Sequence, residues 1–580
     1  MTVADYFIDF FITNGVTDVF GYQGGMIAYL FDSMGRRSEE INYHICATEQ
    51  GAALAACGYA QASRKPGVVL STSGPGFTNL LTGIANAWFD SIPLICISGQ
   101  VNTKDKRRSL SVRQLGFQEI QAPEIASSIT KGTFEIDTDT NIQECLEKAW
   151  TMAETGRKGP VFLELPINIC RNEMKVEKAA RMASRHSFKH IEELPYCMSE
   201  LLRAKKPVII AGAGICQADM REEFRELVEI LKIPVITTLP AVDLLPSDNP
   251  YRIGYLGGTA RREAGIVLAA ADLVLAVGTR LCAKQIGYNL NMFAPRAKLF
   301  RVDIDETEFE RKLKKDEVQI HAGLDNFIKD FIALLQNEKL VCGHFEWTGS
   351  CNTMKKLLEK SDITFGNEAV HKLTEFLPDG FNLTLDVGNN MIYGAQSSDI
   401  KENTRIFVSG GFGAMGYALP AAFGVSVGNS RPTCVISGDG GMQMNIQELN
   451  IISKEKLPIK IFVLNNHALG HILLFQKAYL DGRCYATDEK MGDYHSCDFV
   501  KIAEAYGIPA YKLHDIEDIT NYENVLNNNN PALFELEYED CPILPNIHGG
   551  CDCLTSGPKL EEEIICQIRE LGFPLLESGV

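Results

Sequence analysis

The most informative stretch of the sequence is Gly438-Asp439-Gly440-Gly441, which is followed further along the chain by Asn465-Asn466. The residues between them, MQMNIQELNIISKEKLPIKIFVL, predict a helix, a Lys-Leu-Pro turn and a buried strand from Ile459 to Leu464. An acidic residue in a glycine turn is therefore connected through one crossover to an amide pair at the end of the next strand. Such strand ends are where open α/β sheets bind their ligands.

The residue types in this pattern indicate a magnesium–diphosphate site. Asp439 and Asn466 offer hard oxygen ligands of the kind that Mg²⁺ prefers, and the glycines let the backbone approach phosphate oxygens closely. A Gly-Asp-Gly turn alone is common and is also found in an ordinary βαβ unit. The helix and strand correctly placed between the Asp and the Asn favour the ligand site.

Composition and charge restrict the class of protein. The chain has 580 residues, of which 45% are hydrophobic and 22% charged, which is typical of a globular protein of about three domains. The net charge of −18 argues against nucleic acid or an anionic membrane as the main partner. The N-terminus lacks the features of a signal peptide, and no apolar run reaches membrane-spanning length. Since the 17 cysteines are scattered, we expect a cytoplasmic protein with reduced thiols.

Apolar strands alternate with helical patterns along most of the chain, which predicts an α/β fold of three doubly wound parallel-sheet domains. We place the first domain at residues 1–180, a Rossmann-like middle domain at 190–340, a third domain at 360–550 and a tail at 551–580. The polar stretches 175–189 and 336–362 are expected to be exposed connections. Near the tail, Cys541, His548, Cys551 and Cys553 could bind zinc, but their spacing fits no standard pattern and favours loop cysteines.

Glu49 is the second candidate functional residue. It begins a predicted helix built almost wholly of small residues, which would let another surface pack closely and leave the carboxylate poorly solvated. Alternatively, Glu49 stabilises the helix N-terminus and does nothing else. The loop at residues 71–79, which follows a predicted strand, could bind an anion or could form a tight turn at a subunit interface.

Taken together, these motifs resemble the acetolactate synthase-like branch of the thiamine diphosphate enzyme superfamily, over nearly the whole chain. The matching elements are, in order, Tyr22-Gln23-Gly24-Gly25, Thr48-Glu49-Gln50-Gly51, Ser73-Gly74-Pro75-Gly76-Phe77-Thr78-Asn79, Gly99-Gln100-Val101, Gly116-Phe117-Gln118-Glu119, Ser128-Ile129-Thr130-Lys131, Gly278-Thr279-Arg280, Val302-Asp303-Ile304-Asp305, Gly410-Gly411-Phe412-Gly413-Ala414-Met415-Gly416-Tyr417, Gly438-Asp439-Gly440 and Asn465-Asn466.

The resemblance implies a role for each matching position. Glu49 would activate the cofactor, and Mg²⁺ would be held by Asp439, Asn466 and the carbonyl of Ala468. Met415 would bend the cofactor, although a single Met is more often core filler. The full set of implied thiamine diphosphate contacts is Glu49, Gly388, Asn389, Asn390, Gly413, Met415, Gly438, Asp439, Gly440, Gly441, Asn466, Ala468, Leu469 and Gly470.

The resemblance also implies a substrate side, a flavin site and an assembly. The substrate would meet Gln23, Gly25, Phe117, Gln118, His471 and Phe475. The middle domain would hold FAD at Gly212, Gly214, Gly278, Arg280 and Asp305, or else ADP or nothing, because a single Gly-x-Gly is weak evidence. The active site would lie between two chains, so that the protein would be a homodimer or a homotetramer.

The chain departs from the branch's pattern on the acceptor side of the predicted site. Gly258, Lys284 and Phe475 stand where relatives carry Met, Arg and Trp, Thr48 replaces a His, and His471 replaces an apolar residue. A lysine is a point charge in place of a bidentate fork, and Gly and Phe leave more room than Met and Trp. We therefore expect a wider acceptor site.

The predicted function is decarboxylation of a 2-keto acid, most simply pyruvate, and transfer of the acyl carbanion equivalent to an acceptor carbonyl. The acceptor would be a second 2-keto acid or a keto-sugar nucleotide. Three alternatives stay open: a 2-keto acid decarboxylase, a cyclic-dione hydrolase, and a non-catalytic scaffold or regulatory protein with the same fold. Intact Glu49, Asp439 and Asn466 argue against the last.

Overall fold

The computed structural model describes residues 1–175, 178–182, 191–337, 343–539, 541–545 and 557–574. It contains three sheets of six strands each, and within the described residues every pairing between neighbouring strands is parallel. Crossover helices cover the faces of each sheet, as parallel pairing requires. The predicted α/β fold of three doubly wound domains is confirmed.

The N-terminal domain holds the first sheet, whose strands are β1 (Asp18–Gly21), β2 (Asn42–Ile45), β3 (Gly67–Ser71), β4 (Leu94–Gln100), β5 (Thr133–Glu135) and β6 (Pro160–Pro166). Their order in space is β2-β1-β3-β4-β6-β5. The helices are α1 (Val3–Thr13), α2 (Ala28–Arg36), α3 (Glu49–Ser63), α4 (Pro75–Phe89), α5 (Ala122–Ala126), α6 (Ile142–Glu154) and α7 (Ile167–Cys170).

The middle domain has the strands β7 (Pro207–Ala211), β8 (Val235–Thr238), β9 (Arg252–Leu256), β10 (Leu273–Val277), β11 (Lys298–Asp303) and β12 (Val318–His321). Their order is β12-β11-β10-β7-β8-β9, which is the doubly wound order of dinucleotide-binding folds, with the switch point between β7 and β10. The helices are α8 (Leu194–Arg203), α9 (Gly214–Gln217), α10 (Arg221–Leu231), α11 (Arg262–Ala270), α12 (Ala283–Ile286), α13 (Leu324–Asn337) and α14 (Phe345–Leu358).

The C-terminal domain has the strands β13 (Asn382–Leu385), β14 (Arg405–Val408), β15 (Thr433–Gly438), β16 (Ile459–Asn465), β17 (Ala510–Leu513) and β18 (Ala532–Glu537), in the order β14-β13-β15-β16-β18-β17. This order repeats that of the N-terminal sheet. The helices are α15 (Phe365–Phe376), α16 (Asn389–Ser397), α17 (Ala418–Asn429), α18 (Asp439–Met444), α19 (Leu449–Glu455), α20 (Gly470–Tyr479), α21 (Phe499–Ala505), α22 (Glu523–Leu526) and the terminal α23 (Glu562–Glu570).

The stretch 336–362 is not the exposed connection that its polarity suggested. Helix α14 lies in it and buries Trp347 and Cys351, and the Trp347 indole donates to the carbonyl of Pro207 at 3.1 Å. Phe573, just after α23, packs on the Trp347 ring at 5.3 Å, so the chain end returns to the middle domain. The expectation was wrong because the apolar side chains of α14 recur at helical spacing within a polar average. Most of the predicted connection at 175–189 lies outside the described residues.

Two helices of small residues join the outer domains. A Cβ added at Gly58 of α3 would overlap the carbonyl oxygen of Ala421, and one added at Gly424 of α17 would overlap that of Ala55. Glycines are needed here because the two helix backbones touch. The predicted close packing against the small-residue helix is confirmed, and it fixes the direction of the α3 N-terminus, where Glu49 lies. No helix in the described part of the chain has the length and apolar character to cross a membrane.

Candidate active site

The carboxyl ends of three neighbouring strands bring the predicted diphosphate segments together. In the β15–β16 ladder Gly438 lies opposite Leu464, so Asp439 and Asn466 follow two adjacent strand ends. Strand β13 flanks β15 on the other side and leads to the turn at Gly388. The Asn390 amide lies against Gly438, since a Cβ there would come within 2.8 Å of Asn390 Nδ2.

Asp439 is a buried carboxylate in the first turn of α18. Only 2% of the residue is exposed, and Oδ2 accepts a hydrogen bond from the Tyr494 hydroxyl at 3.1 Å. Burial raises the pKa of Asp439 to about 6, against the opposing effect of the Gly440 backbone N–H and of Tyr494. A bound divalent cation would offset the free-energy cost of burying this negative charge. The site therefore fits Mg²⁺ by charge and by ligand type.

Asn389 supplies an independent indication of a bound polar ligand. The residue is 5% exposed, yet neither its Nδ2 nor its Oδ1 has a hydrogen-bond partner. A buried amide left in this state costs about 1–3 kcal/mol. It stands at the start of α16, directly after Gly388, whose φ of +123° favours glycine. A phosphate oxygen would accept a hydrogen bond from the NH₂ group of this amide, and a separate donor would satisfy its oxygen. The residues present therefore fit a diphosphate.

The loop that carries Met415 is held from two sides. Asp386, at the end of β13, accepts the N–H of Gly416 at 2.9 Å and that of Ala418 at 3.0 Å. On the other side, Ser409 Oγ accepts the N–H of Gly413 at 3.0 Å. Met415 is half-buried, and its Cε lies 3.6 Å from where a Cβ of Gly440 would stand. The loop therefore presents Met415 to the glycine turn.

Sequence reasoning missed Asp386 and Ser409. Asp386 is 1% exposed, and burial raises its pKa to about 6 although three backbone N–H groups oppose the shift. The signal that could have found it is an acid placed directly after a buried strand and ahead of Gly388. Ser409 Oγ also donates to Asn86 Oδ1 of α4 at 2.6 Å and thus ties the loop to the N-terminal domain; nothing in the sequence indicates that contact.

The two asparagines at the carboxyl end of β16 have different roles. Asn465 is fully buried, donates to Glu535 at 2.8 Å and accepts from Ser496 Oγ at 3.0 Å, so it belongs to the fold. Asn466 is half-buried at the strand end. Ala468 pairs with Asp488, and its carbonyl accepts the N–H of Gly470 at 2.9 Å. The Leu469 side chain lies against Gly440, where a Cβ would come within 2.6 Å of Cδ2.

Glu49 lies in a separate cluster on the N-terminal domain. Its residue is 9% exposed, which confirms the predicted poor solvation, and Oε2 accepts a hydrogen bond from Asn79 Nδ2 of α4 at 3.0 Å. Gly76 lies beside the carboxylate, since a Cβ there would stand 3.1 Å from Oε1. Thr48 caps α3 by accepting the N–H of Gly51 at 3.0 Å. The part of the predicted loop at 71–79 that forms the first turns of α4 therefore contacts Glu49 directly.

The other predicted substrate residues of this domain lie near that loop or on its rim. Gln118 has a positive φ of +65° and lies against Gly74, where a Cβ would come within 3.0 Å of the Gln118 Cβ. Phe117 is 78% exposed, and Gln23 and Gly25 are exposed as well. The candidate site residues thus form two clusters, the Glu49 cluster on the N-terminal domain and the Asp439 cluster on the C-terminal domain.

Comparison with known proteins identifies the family. The thiamine pyrophosphate enzyme N-terminal binding domain matches residues 1–125, the central domain residues 196–331 and the C-terminal binding domain residues 386–536. The chain belongs to the thiamine pyrophosphate enzyme family. Thiamine pyrophosphate is another name for thiamine diphosphate, so the assignment of the chain to this superfamily is confirmed, and the protein is a thiamine diphosphate-dependent enzyme.

The curated proteins to which the chain is similar are named acetolactate synthases. It is 32% identical to a probable acetolactate synthase large subunit of Methanocaldococcus jannaschii, over 95% of this chain and 94% of that protein. It is 30% identical to acetolactate synthase isozyme 2 large subunit of Escherichia coli, with 94% and 98% covered. Against acetolactate synthase 1, chloroplastic, of Oryza sativa subsp. japonica the identity is 33%, with 97% and 87% covered.

Two of the positions at which the sequence predicts a departure from the acetolactate synthase pattern, Lys284 and His471, lie close together. Desolvation and the charge of Lys284 both lower the pKa of His471, so a middle-domain and a C-terminal-domain side chain face each other. Gly258 donates its N–H to the Lys284 carbonyl at 3.3 Å, and a Cβ on Gly258 would meet nothing within 4 Å. Phe475 is 54% exposed. Space is therefore available next to Gly258 and next to Phe475.

Three of the predicted flavin residues, Gly212, Gly214 and Gly278, pack together at the switch point between β7 and β10. A Cβ at Gly212 would overlap the carbonyl of Gly278, and one at Gly214 would come within 2.9 Å of the Gly278 Cα, so loop packing already explains these glycines. Asp305 forms an ion pair with Arg157 of the N-terminal domain at 3.0 Å, and that contact engages the carboxylate. Arg280 lies close enough to Asp90 to oppose the rise that burial causes in the pKa of Asp90.

Cys541 lies beside Tyr393, whose hydroxyl donates to the Cys541 carbonyl at 3.0 Å. His548, Cys551 and Cys553 lie outside the described residues. In the part of the chain that the structure describes, no three His, Cys, Asp or Glu side chains are arranged to hold a metal ion.

Proposed function

We propose that the protein is a thiamine diphosphate- and Mg²⁺-dependent carboligase of the acetolactate synthase type. It decarboxylates a 2-keto acid, most simply pyruvate, and joins the acyl unit to an acceptor carbonyl. The observation that carries this proposal is that two buried polar groups follow strand ends of the C-terminal domain. They are the Asp439 carboxylate and the Asn389 amide, which has no hydrogen-bond partner. The similar acetolactate synthases support the reaction class.

The residues of the C-terminal domain would hold the cofactor. Asp439, Asn466 and the Ala468 carbonyl would bind Mg²⁺, while Gly388, Asn389, Asn390 and the glycine turn would contact the diphosphate. Met415, on the loop that Asp386 and Ser409 hold, would supply an apolar contact to the cofactor. When bound, thiamine diphosphate supplies a nucleophilic carbon and a sink for the electron pair that CO₂ leaves behind.

Glu49 would take part in proton transfer with the cofactor. A carboxylate in a site of low solvation hydrogen-bonds strongly and exchanges a proton with a ring nitrogen held against it. Asn79 donates to Oε2 at 3.0 Å and leaves Oε1 as the acceptor that faces Gly76. The chain's own contribution is thus to orient one carboxylate oxygen and to exclude water from it.

The placement of the Glu49 and Asp439 clusters on different domains supports an active site that two chains share. Glu49's carboxylate accepts its hydrogen bond from its own domain, whereas Asp439 lies at the strand ends of the C-terminal domain. In a homodimer, or a dimer of dimers, the Glu49 cluster of one chain would cover the Asp439 cluster of the other. Exposed Phe117, Phe412 and Met444 would become buried in that contact.

On the acceptor side, the open space at Gly258 and the exposed Phe475 favour an acceptor larger than a second pyruvate. Lys284 and His471 offer it a positive charge and a hydrogen-bonding ring. A keto-sugar nucleotide, with its carbonyl and its phosphates, fits this description, and a second 2-keto acid is the smaller candidate. FAD at the β7–β10 switch point is a subsidiary proposal, tested by the visible absorbance of the purified protein.

The deciding experiment incubates purified protein with pyruvate, thiamine diphosphate and Mg²⁺ and follows CO₂ release and product mass. Acetolactate at a steady rate assigns a keto-acid acceptor. Slow CO₂ release without acetolactate, accelerated by a keto-sugar nucleotide, assigns the larger acceptor. Aldehyde as the product would assign a decarboxylase, and turnover of a cyclic dione in place of pyruvate a hydrolase. No CO₂ with any of these substrates would refute the carboligase proposal.

The matched variant for this experiment is Glu49→Gln, which keeps the size of the side chain and removes its charge. We expect turnover to fall by at least about 100-fold, the size of a lost acid–base contribution, with folding and cofactor binding retained. Circular dichroism and the dissociation constant for Mg²⁺–thiamine diphosphate serve as the checks. Near-normal turnover in this variant would contradict the role assigned to Glu49.

A further inference from the structure

Glu448 is a buried acid of the C-terminal domain that the proposed reaction does not use. It stands immediately before α19 and is 1% exposed. Its carboxylate accepts the N–H of Ala47 and the N–H of Thr48, both at 3.1 Å, and the Thr48 hydroxyl at 3.3 Å. These three donors belong to the segment of the N-terminal domain that leads directly into Glu49.

The oxygens of the Glu448 carboxyl group act as acceptors in all three of these hydrogen bonds. All three contacts point hydrogen atoms at its oxygens, which a carboxylate accepts and a neutral acid or an amide would accept only in part. Burial raises the pKa of Glu448 to about 7, while the same three donors oppose that rise. A buried carboxylate satisfied from another domain fixes the position of the groups that donate to it.

Gly51 shows that the first turn of α3 is built around this carboxylate. A Cβ on Gly51 would overlap Glu448 Oε1, so any larger residue would displace the acid. Glycine inside a helix costs about 1 kcal/mol relative to alanine, yet here it makes room for the contact. Gly51 in turn donates its N–H to Thr48 Oγ1 at 3.0 Å, and that closes the network around the helix start.

We propose that Glu448 is a positioning residue for Glu49, which it serves by fixing the Ala47–Thr48 amides and hence the first turn of α3. This inference rests on the proposed role of Glu49 in activating the cofactor. The direction of the Glu49 side chain is set by that turn at one end and by Asn79 at the other. A displacement of about 1 Å at a reacting group is enough to cost about 100-fold in rate.

The test compares Glu448→Gln, Gly51→Ala, Glu448→Ala and the double variant Glu448→Ala/Gly51→Ala. Glu448→Gln replaces one acceptor oxygen by an NH₂ group that faces N–H donors. We expect kcat for pyruvate decarboxylation to fall about 10- to 100-fold, with KM and the dissociation constant for Mg²⁺–thiamine diphosphate within about two-fold. Gly51→Ala should do the same, although alanine favours a helix. In the Glu448→Ala background, Gly51→Ala should cost less than in the wild type, because the carboxylate that it displaces is already gone.

A second readout needs neither cofactor nor turnover. Amide hydrogen exchange of residues 46–52 in the cofactor-free protein should accelerate in Glu448→Gln, since one of the Ala47 and Thr48 amides loses its acceptor oxygen. Faster exchange with unchanged kcat would overturn the proposal and leave Glu448 a purely structural group. Equal losses of kcat and of cofactor affinity would overturn it as well.

Glu49→Gln, measured in parallel, separates this inference from the proposed function. If Glu49→Gln retains turnover, the role assigned to Glu49 in the proposed function has failed, and the positioning role of Glu448 fails with it, whatever Glu448→Gln does. If Glu49→Gln is inactive while Glu448→Gln is fully active, the reaction stands and only the positioning role is refuted.

Discussion

At the scale of single residues, Asp439 couples the proposed metal site to stability. Its pKa is raised to about 6 by burial, so in the metal-free protein the carboxylate destabilises the fold fully above pH 6 and only slightly near pH 4, where it is protonated in the folded state and about half protonated in the unfolded chain. Asp439→Asn should therefore stabilise the metal-free protein by roughly 1–3 kcal/mol at pH 8 and by almost nothing at pH 4. Thermal unfolding at the two pH values measures this.

The same variant should lose the stabilisation that Mg²⁺ and thiamine diphosphate give the wild type, because the charged ligand is gone. Asp481→Asn, at a side chain that is 84% exposed, serves as the control and should change neither quantity. A metal-free Asp439→Asn protein that is less stable than the wild type at pH 8, or one that still gains stability from Mg²⁺ and cofactor, would contradict the assignment.

Individual residues differ in how far the sequence could reveal them. Asp439 was predictable because a glycine turn, a helix and a strand end share one short segment. Glu448 lies in the same segment, yet its partners are Ala47 and Thr48 at the other end of the chain, and no local pattern reports such a contact. Asn389 was expected from resemblance alone, and its unsatisfied amide became visible only with the fold.

At the scale of elements, the contact between α3 and α17 determines whether the outer domains can dock. Gly424→Ala should destabilise the protein by about 1–3 kcal/mol or more, because its Cβ would overlap the Ala55 carbonyl and force two backbones apart. Gly349→Ala in α14 is the matched control, since its Cβ would meet nothing within 4 Å. That change should be neutral or stabilise by up to about 1 kcal/mol. Thermal or denaturant unfolding of both variants tests the contrast, and equal effects would contradict it.

The elements that the sequence predicts best are those whose residues are uniformly apolar. The strand at 273–277 was placed correctly because it is a continuous apolar run with buried faces on both sides. Helix α14 was missed because its apolar residues are spaced along one face and diluted by Lys, Glu and Ser. The crossover after Asp439 was predicted as one helix, but a 3₁₀ turn at Ile446–Glu448 divides it, and that turn aims Glu448 at α3. Long-range packing, not propensity, sets this break.

At the scale of the whole molecule, the two outer domains have the same strand order, although no short internal sequence repeat indicates this. Their docking brings His44 of β2 to the end of α19. His44 Nε2 lies 3.0 Å from Asp18 Oδ1, and Nδ1 lies 3.9 Å from Glu455 Oε1 of the C-terminal domain. Burial alone would lower the pKa of His44, but the two carboxylates outweigh it and raise the pKa. The contact between the N- and C-terminal domains should therefore depend on pH. Neither domain alone would show this dependence.

Because the folded-state pKa of His44 is raised, its stabilisation is fully present below the unfolded value of about 6.5 and is lost as the pH rises through the folded value. His44→Gln should therefore lower the unfolding temperature more at pH 6 than at pH 9. His495→Gln, at a side chain that is 83% exposed, should change it little at either pH. An equal loss at both pH values would mean that His44 contributes only packing, including its stacking on Phe20 at 5.2 Å. The larger loss at pH 6 would mean instead that the charge between Asp18 and Glu455 helps to hold the N- and C-terminal domains together.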